Sequence, residues 1–287
     1  MVAKNPRQRG AGEMRLPFDN AVMRDKYGAG PYATAPRGVS PLARALPTLY
    51  FYWRLATGPV QWLFRKGAKN QCDDVSWSNA SCWCADELEN AGCRIEIEGL
   101  EHVRGLDSPR VYVANHMSVL ETFILPGILR PLGPVTFVVK KSLVSLPLFG
   151  PVMRSRDPVV LGRKNPREDL ATMFSEGEKR LRRGVSVVVF PQGSREAVFN
   201  PAHFNSIGAK LAARAGVPAV PVALKTDAWG LGKHVKELGK ISPSLPIRFV
   251  FGKPVEAARS PREAQAEILG FINALVSKWQ KEDGEKR

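Results

Sequence analysis

A chain of 287 residues with 44% hydrophobic and 24% charged side chains is long enough for one large α/β domain with an appendage, or for two small domains. That composition excludes a collagen-like, coiled-coil, disulfide-rich or wholly disordered chain. Its 42 Lys and Arg against 27 Asp and Glu leave a formal charge of +15, which points to an anionic partner: nucleic acid, an acidic lipid surface or a phosphorylated substrate.

Residues 1–45 are rich in Gly, Pro, Ala and Arg, with eight basic against three acidic side chains. No hydrophobic period runs through them, so they read as a flexible basic tail. The first thirty residues hold no apolar core of a signal peptide, which favours a cytoplasmic chain. Residues 46–92 read as a helical segment of a different kind. Within it, Leu49 to Phe64 is an aromatic run with one charge, Arg54, and a Gly58-Pro59 break. It is too short and interrupted to span a bilayer, which needs about 20 apolar residues. Aromatics flanked by Arg44, Arg65, Lys66 and Lys69 suit a segment lying among lipid headgroups, and a helical hairpin packed on the core is the other reading. The cysteines Cys72, Cys82, Cys84 and Cys93 lack the paired C-x2-C turns of a zinc site. They read first as small buried hydrophobes, with a metal site and a disulfide left open.

Residues 93–287 alternate strands and helices. Ile95 and Ile97 against Glu96 and Glu98 give a period-2 strand, and 111–114 and 135–139 are short apolar runs between turn signals. Asn165 as N-cap, Pro166 at N1 and Glu168 at N3 open a helix carrying Leu170, Met173, Phe174 and Leu181, which stops at Gly184. The run 185–190 is a buried strand, and a helix ends at Ala215 before Gly216. The strand 218–224 carries Pro218 and Pro221, which predict an irregular start or a place near an edge. The run 248–252 closes the sheet, and after a capping box at Ser260 and Glu263 comes an amphipathic helix through Ile268, Ile272, Leu275, Val276 and Trp279. The fold class is α/β: a mixed sheet covered by helices on both faces, with an N-terminal membrane-associating helical segment.

Chemistry concentrates at strand ends. His116 follows the strand 111–114 directly, where α/β folds place polar groups of their sites. Glu121 stands five residues on. Residues five apart on a regular helix point about 140° away from each other, so the two meet only if His116 stands before the first turn and folds back. That geometry suits a general base and the carboxylate that fixes its tautomer. A second cluster, Phe190-Pro191-Gln192-Gly193-Ser194-Arg195, ends the strand 185–190. Gly193 permits close backbone approach, and Ser194 and Arg195 offer donors for a phosphate. A third, with Arg154, Arg156 and Arg163, reads as an anion site or a solvated face.

The order NHMSVLE, PLFG…VVLGR, FPQGSR and VPAVPV resembles the glycerolipid acyltransferases, the 1-acylglycerol-3-phosphate acyltransferase family. Its four blocks are H-x4-D, a Gly…Arg block, F-P-E-G-T-R and V-P-x-x-P-V. The resemblance implies His116 as the base and Glu121 as its orienting acid, with Arg163, Gly193, Ser194 and Arg195 binding a glycerol phosphate and residues 217–222 shaping the donor site. Glu121 departs from the usual Asp, Gly162 stands where an Asp often precedes the arginine, and Gln192 replaces the Glu of the third block.

So read, the chain transfers an acyl group from acyl-CoA or acyl-carrier protein to the free hydroxyl of 1-acylglycerol-3-phosphate, giving phosphatidic acid. No cofactor or metal is implied. The alternatives are another lysophospholipid or a lyso-amino-acid lipid as acceptor, or a non-catalytic lipid-binding homologue. The partners are the acyl donor, the lysophospholipid acceptor and an anionic membrane surface. Nucleic acid is disfavoured, because the basic residues are scattered and no aromatic-basic RNA motif occurs. The expected location is the cytoplasmic face of a membrane, peripheral or monotopic.

Overall fold

In a computed structural model, residues 16, 19, 21–28, 30–147 and 149–285 are described. The expected tail over 1–15, and Leu148 of the PLFG block, lie outside them. Eight strands form one sheet: β1 (Tyr32–Ala33), β2 (Ile95–Glu98), β3 (Val111–Ala114), β4 (Val135–Lys140), β5 (Val159–Leu161), β6 (Ser186–Val189), β7 (Ala219–Lys225) and β8 (Ile247–Phe251). Their spatial order is β1-β2-β8-β7-β3-β6-β4-β5. β7, β3, β6, β4 and β5 run parallel, β8 is antiparallel to β7, and β1 is antiparallel to β2. The sheet is mixed, as expected, and the carboxyl ends of the five parallel strands share one rim.

The helices are α1 (Pro41–Ala45), α2 (Pro47–Leu55), α3 (Gln61–Ala68), α4 (Asp74–Asn90), α5 (Leu120–Leu129), α6 (Lys141–Val144), α7 (Gly150–Arg154), α8 (Pro166–Arg182), α9 (Ile207–Ala215) and α10 (Pro261–Glu285). The side chains of each strand alternate between the two sheet faces, and each face has its own core. Tyr112 and Val188 pack with residues of α2, α4 and α5 on one side. Val111, Val113, Val187 and Val189 pack with residues of α8, α9 and α10 on the other. In α8 the Asn165 side chain accepts from Arg167 N, as an N-cap does. Met173 and Leu181 are buried while Leu170 stays exposed.

Three expectations are corrected. From Val22 onward the expected tail is packed: Asn79 Nδ2 donates to Val22 O, Tyr27 is buried, and β1 pairs with β2. The cause is buried Glu89, which accepts from Lys26, Tyr32, Thr34 and Arg37 and so fastens this stretch to α4. A charge that deep needs several partners, and they come from a segment with no apolar period.

Second, β7 is interior and buried along its length. Ala219 exchanges both backbone bonds with Val255, and Pro221 O accepts from Gly252 N. Alternation therefore turns the donor-less Pro221 nitrogen to the same side, where the neighbouring chain has already left β8. A central strand tolerates proline there because no ladder bond is lost. Third, β8 does not close the sheet but lies inside it, between β2 and β7.

Helices before residue 93 share the core of the sheet. Phe51, Leu55, Trp77 and Leu88 belong to the same cluster as Tyr112 and Phe249. Arg54, the lone charge of the aromatic run, holds buried Glu87 through two hydrogen bonds of 3.0 and 2.8 Å. Gly58 forms the kink between α2 and α3, where a Cβ would come within 3.0 Å of the Trp83 ring. All four cysteines are free and buried. Cys82 sits where α4 meets Gly127 of α5, and a Cβ on Gly127 would lie 2.9 Å from its sulfur. Small side chains here let the two helices approach closely. Burial pushes the thiols of Cys82 and Cys93 up to about 12, so they are not poised as nucleophiles.

Candidate active site

The rim formed by β3, β5, β6 and β7 holds the residues singled out from the sequence. Past the end of β3, Asn115 does not continue the backbone ladder. Instead its side chain donates to Leu224 O and accepts from Leu224 N, each at 2.8 Å. Ser118 Oγ donates to Thr226 O at 2.9 Å. These two side chains pin the loop to the end of β7, so that His116 leaves the sheet at a fixed angle. Sequence reasoning gave neither a role, because their partners lie more than 100 residues away, on and just past β7.

Helix α5 begins at Leu120, so His116 stands before its first turn. The imidazole Nδ1 and Glu121 Oε1 are 2.8 Å apart. Glu121 is fully buried and also accepts from Met117 N at 2.7 Å and from Ser118 N at 3.0 Å. Burial alone would raise its carboxyl, but the hydrogen bonds it accepts, the one from His116 foremost, outweigh that and hold it below its ordinary 4.5. A carboxylate only accepts, so the Nδ1 hydrogen points at Glu121 and the Nε2 lone pair is left for a proton. The ring stacks on Phe190, with centroids 4.2 Å apart and planes 17° from parallel.

The turn after β6 wraps this histidine. Gln192 Oε1 accepts from His116 N at 2.7 Å, and Glu196 N donates to His116 O at 2.9 Å. Gly193 has φ +72°, a left-handed conformation that suits glycine. Its missing Cβ also matters, because one would stand 3.0 Å from Arg163 Nη1. Arg163 donates to Gly193 O at 2.9 Å. Asp169 of α8 accepts from Gly162 N at 2.8 Å and Arg163 N at 2.9 Å. A carboxylate thus comes from α8 where the residue before the arginine is a glycine.

Ser194 is exposed. Arg195 turns the other way and donates to Glu237 Oε1 at 2.7 Å, and its Nη1 is buried without a partner. The Arg195 hydrogen bond holds the Glu237 carboxyl below its usual range. The other arginines of the expected anion cluster are committed elsewhere. Arg156, whose side chain is 6% exposed, pairs with Asp74 while donating to Cys72 O, and Arg154 donates to Val144 O. Of the three, Arg163 alone joins the rim.

The structure therefore brings His116, Glu121, Gly193 and Arg163 into one connected network through Gln192 and Glu196, and holds Arg195 at the outer side of the same turn. A cavity of about 300 Å³ opens beside Met117, lined by Val198, Val276 and Trp279 with Lys225 and Asp227.

An acyltransferase family model matches residues 94–225, which carry this rim. Over those residues the chain is similar to the acyltransferase family. It is 27% identical to a 1-acyl-sn-glycerol-3-phosphate acyltransferase of Pseudomonas aeruginosa over 83% of this chain and 92% of that protein. It is 29% identical to the chloroplastic enzyme LPAT1 of Arabidopsis thaliana, over 61% of this chain and only 48% of that protein. A probable enzyme of the same name from Mycoplasma genitalium is 32% identical over 59% and 65% of the two chains. In fold, the chain is similar to the crystal structure of the LPA acyltransferase PlsC from Thermotoga maritima, with a TM-score of 0.58 at 22% identity, over 81% of this chain and 94% of that one.

Proposed function

We propose that this chain acylates 1-acylglycerol-3-phosphate to phosphatidic acid, with acyl-CoA or acyl-carrier protein as donor. The observation that carries the reading is the His116 Nδ1–Glu121 bond, which leaves Nε2 basic on a rim flanked by Arg163 and Arg195. The names of its relatives point to the same acceptor.

The acceptor hydroxyl gives its proton to His116 Nε2 as its oxygen attacks the thioester carbonyl. Glu121 stabilises the imidazolium so formed. When the tetrahedral intermediate collapses, the carbon–sulfur bond breaks and His116 returns the proton to the departing thiolate. The products are the new ester and a free thiol, and the histidine is neutral again. Arg163 and Arg195 offer the planar donors that match phosphate oxygens.

The same reading places the protein peripherally or monotopically on the cytoplasmic face of a membrane. Among the described residues no helix is long and apolar enough to cross one. Support comes from Leu42, Leu46, Leu49 and Trp53, whose side chains on and between α1 and α2 stay at least half exposed. Tyr52 Oη donates to Gly239 O at 2.8 Å, which puts exposed Val235 and Leu238 beside α2. Glu237, the partner of Arg195, lies in the same segment. An apolar patch so close to the phosphate-binding arginine suits an acceptor that arrives from a bilayer.

The test is to incubate the purified chain with labelled acyl-CoA or acyl-carrier protein and a panel of lysophospholipids, and to identify the product. Phosphatidic acid is the expected one. Transfer only to a different lysolipid would replace the acceptor, and acyl binding without transfer would favour a lipid-binding protein.

A further inference from the structure

Gln192 stands where the resembling family has glutamate, and its contacts explain what the amide does here. The main chain of His116 is gripped at both polar groups by one turn: its N–H donates to Gln192 Oε1 at 2.7 Å, and its carbonyl accepts from Glu196 N at 2.9 Å. A backbone N–H only donates, so the atom of residue 192 that faces it must be the amide oxygen. The Nε2 group then points away and needs an acceptor. Glu196 Oε2 supplies it at 2.9 Å, while Glu196 Oε1 is held by His203 Nδ1 at 2.7 Å.

A glutamate at 192 could accept from His116 N just as well. Its second oxygen, however, would face the Glu196 carboxylate with no hydrogen between them, and two carboxylates in contact do not both stay ionised without strain. Each member of the pair therefore dictates the other. On the functional reading above, we infer that Gln192 is a positioning residue for the catalytic histidine, and that it must be an amide because Glu196 supplies the carboxylate of this turn.

Pair exchange tests this directly, with kcat, KM and the hydrogen exchange of the His116 backbone amide as readouts. Gln192→Glu should lower kcat by about 10- to 100-fold, the range expected when a reacting group is slightly misplaced, with acceptor KM changed less than about threefold. The His116 amide, protected in the native chain, should exchange faster. The double variant Gln192→Glu with Glu196→Gln keeps the His116 N–H donating to residue 192 and re-forms the 192–196 bond with donor and acceptor reversed, and should return kcat to within about threefold of the native value and restore protection. A merely structural loss would not be recovered by a second substitution that removes another native group. Should Gln192→Glu prove too unstable to assay, the double variant must regain the native Tm. If the single variant matches the native enzyme, or the double is no better than the single, the positioning role is wrong. If the native chain transfers nothing to lysophosphatidic acid, the functional reading fails, and the exchange measurement still decides whether Gln192 and Glu196 hold His116.

Discussion

His116 contributes little packing beyond its stack on Phe190, so His116→Ala should fold and lose about 10²- to 10⁴-fold in kcat, the usual worth of a general base. A folded variant with more than half of the native rate would remove the histidine from the mechanism. Glu121 carries more, because it also holds the backbone of Met117 and Ser118. Glu121→Asp should keep measurable activity and Glu121→Ala should not. Since the Glu121 carboxyl sits below its ordinary 4.5 in the fold, the unfolded chain takes up that proton first as pH drops. Its contribution to stability is therefore full above the unfolded value and lost as pH falls through the lower folded value. Glu121→Gln should flatten that part of an acid Tm profile, and an unchanged profile would mean that another carboxyl controls it. Arg195→Lys keeps the charge but loses the planar fork. It should raise the KM for lysophosphatidic acid about tenfold, Arg195→Ala more so, with little change for acyl-CoA. A rise confined to acyl-CoA would assign the arginine to the donor. At this scale the histidine, its acid and the glycine turn were legible from type and spacing. Asn115, Ser118 and Glu196 were not, because their partners lie on the neighbouring strand, in the next strand-end loop or across the turn, and no local period marks such contacts.

The elements that the sequence made plain are those whose pattern is local. The cap at Asn165, the stripe through Met173 and Leu181, and the valine runs of β3 and β6 each follow from neighbours a few residues away. The placement of β7 and β8 escaped, because proline is excluded from a central strand only where its nitrogen meets a ladder, and that depends on where the adjacent chain leaves β8. The aromatic segment has two unlike sides. In α2, Phe51 and Leu55 face the core while Leu49 and Trp53 face outward. Substituting the outward pair, Leu49→Ser with Trp53→Ser, removes exposed apolar surface without touching the core. It should leave Tm within about 2 °C, since surface changes away from specific contacts are worth roughly 0.5 kcal/mol or less. It should also weaken binding to anionic vesicles several-fold in a sedimentation assay. Undiminished vesicle binding would assign membrane contact to another surface.

Across the whole molecule, the segment before residue 93 belongs to the same body as the rim that carries His116. Tyr27, Phe51, Leu55 and Trp77 enter the core cluster that contains Ile95, Tyr112 and Phe249, and Trp62 packs against Trp83 beside it. Its ion pairs tie in the same direction, Lys26 to Asp86 and Glu89 and Arg54 to Glu87. Removing residues 1–66 would strip Tyr27, Phe51, Leu55 and Trp62 from buried sites and leave Glu87 and Glu89 without their cations. Burial of a large apolar side chain is worth roughly 1.5–3 kcal/mol, so four such losses come to about 6–12 kcal/mol. That matches the whole stability of an ordinary domain, about 5–15 kcal/mol. The buried carboxylates left without partners add to the loss. The truncated chain is therefore expected to lack a cooperative thermal transition and native near-UV circular dichroism, rather than to be a folded enzyme that merely binds vesicles less well. A truncated protein that unfolds cooperatively near the native Tm would show that the sheet and its later helices stand alone, and that the N-terminal helices are an attachment to the domain and not part of its core.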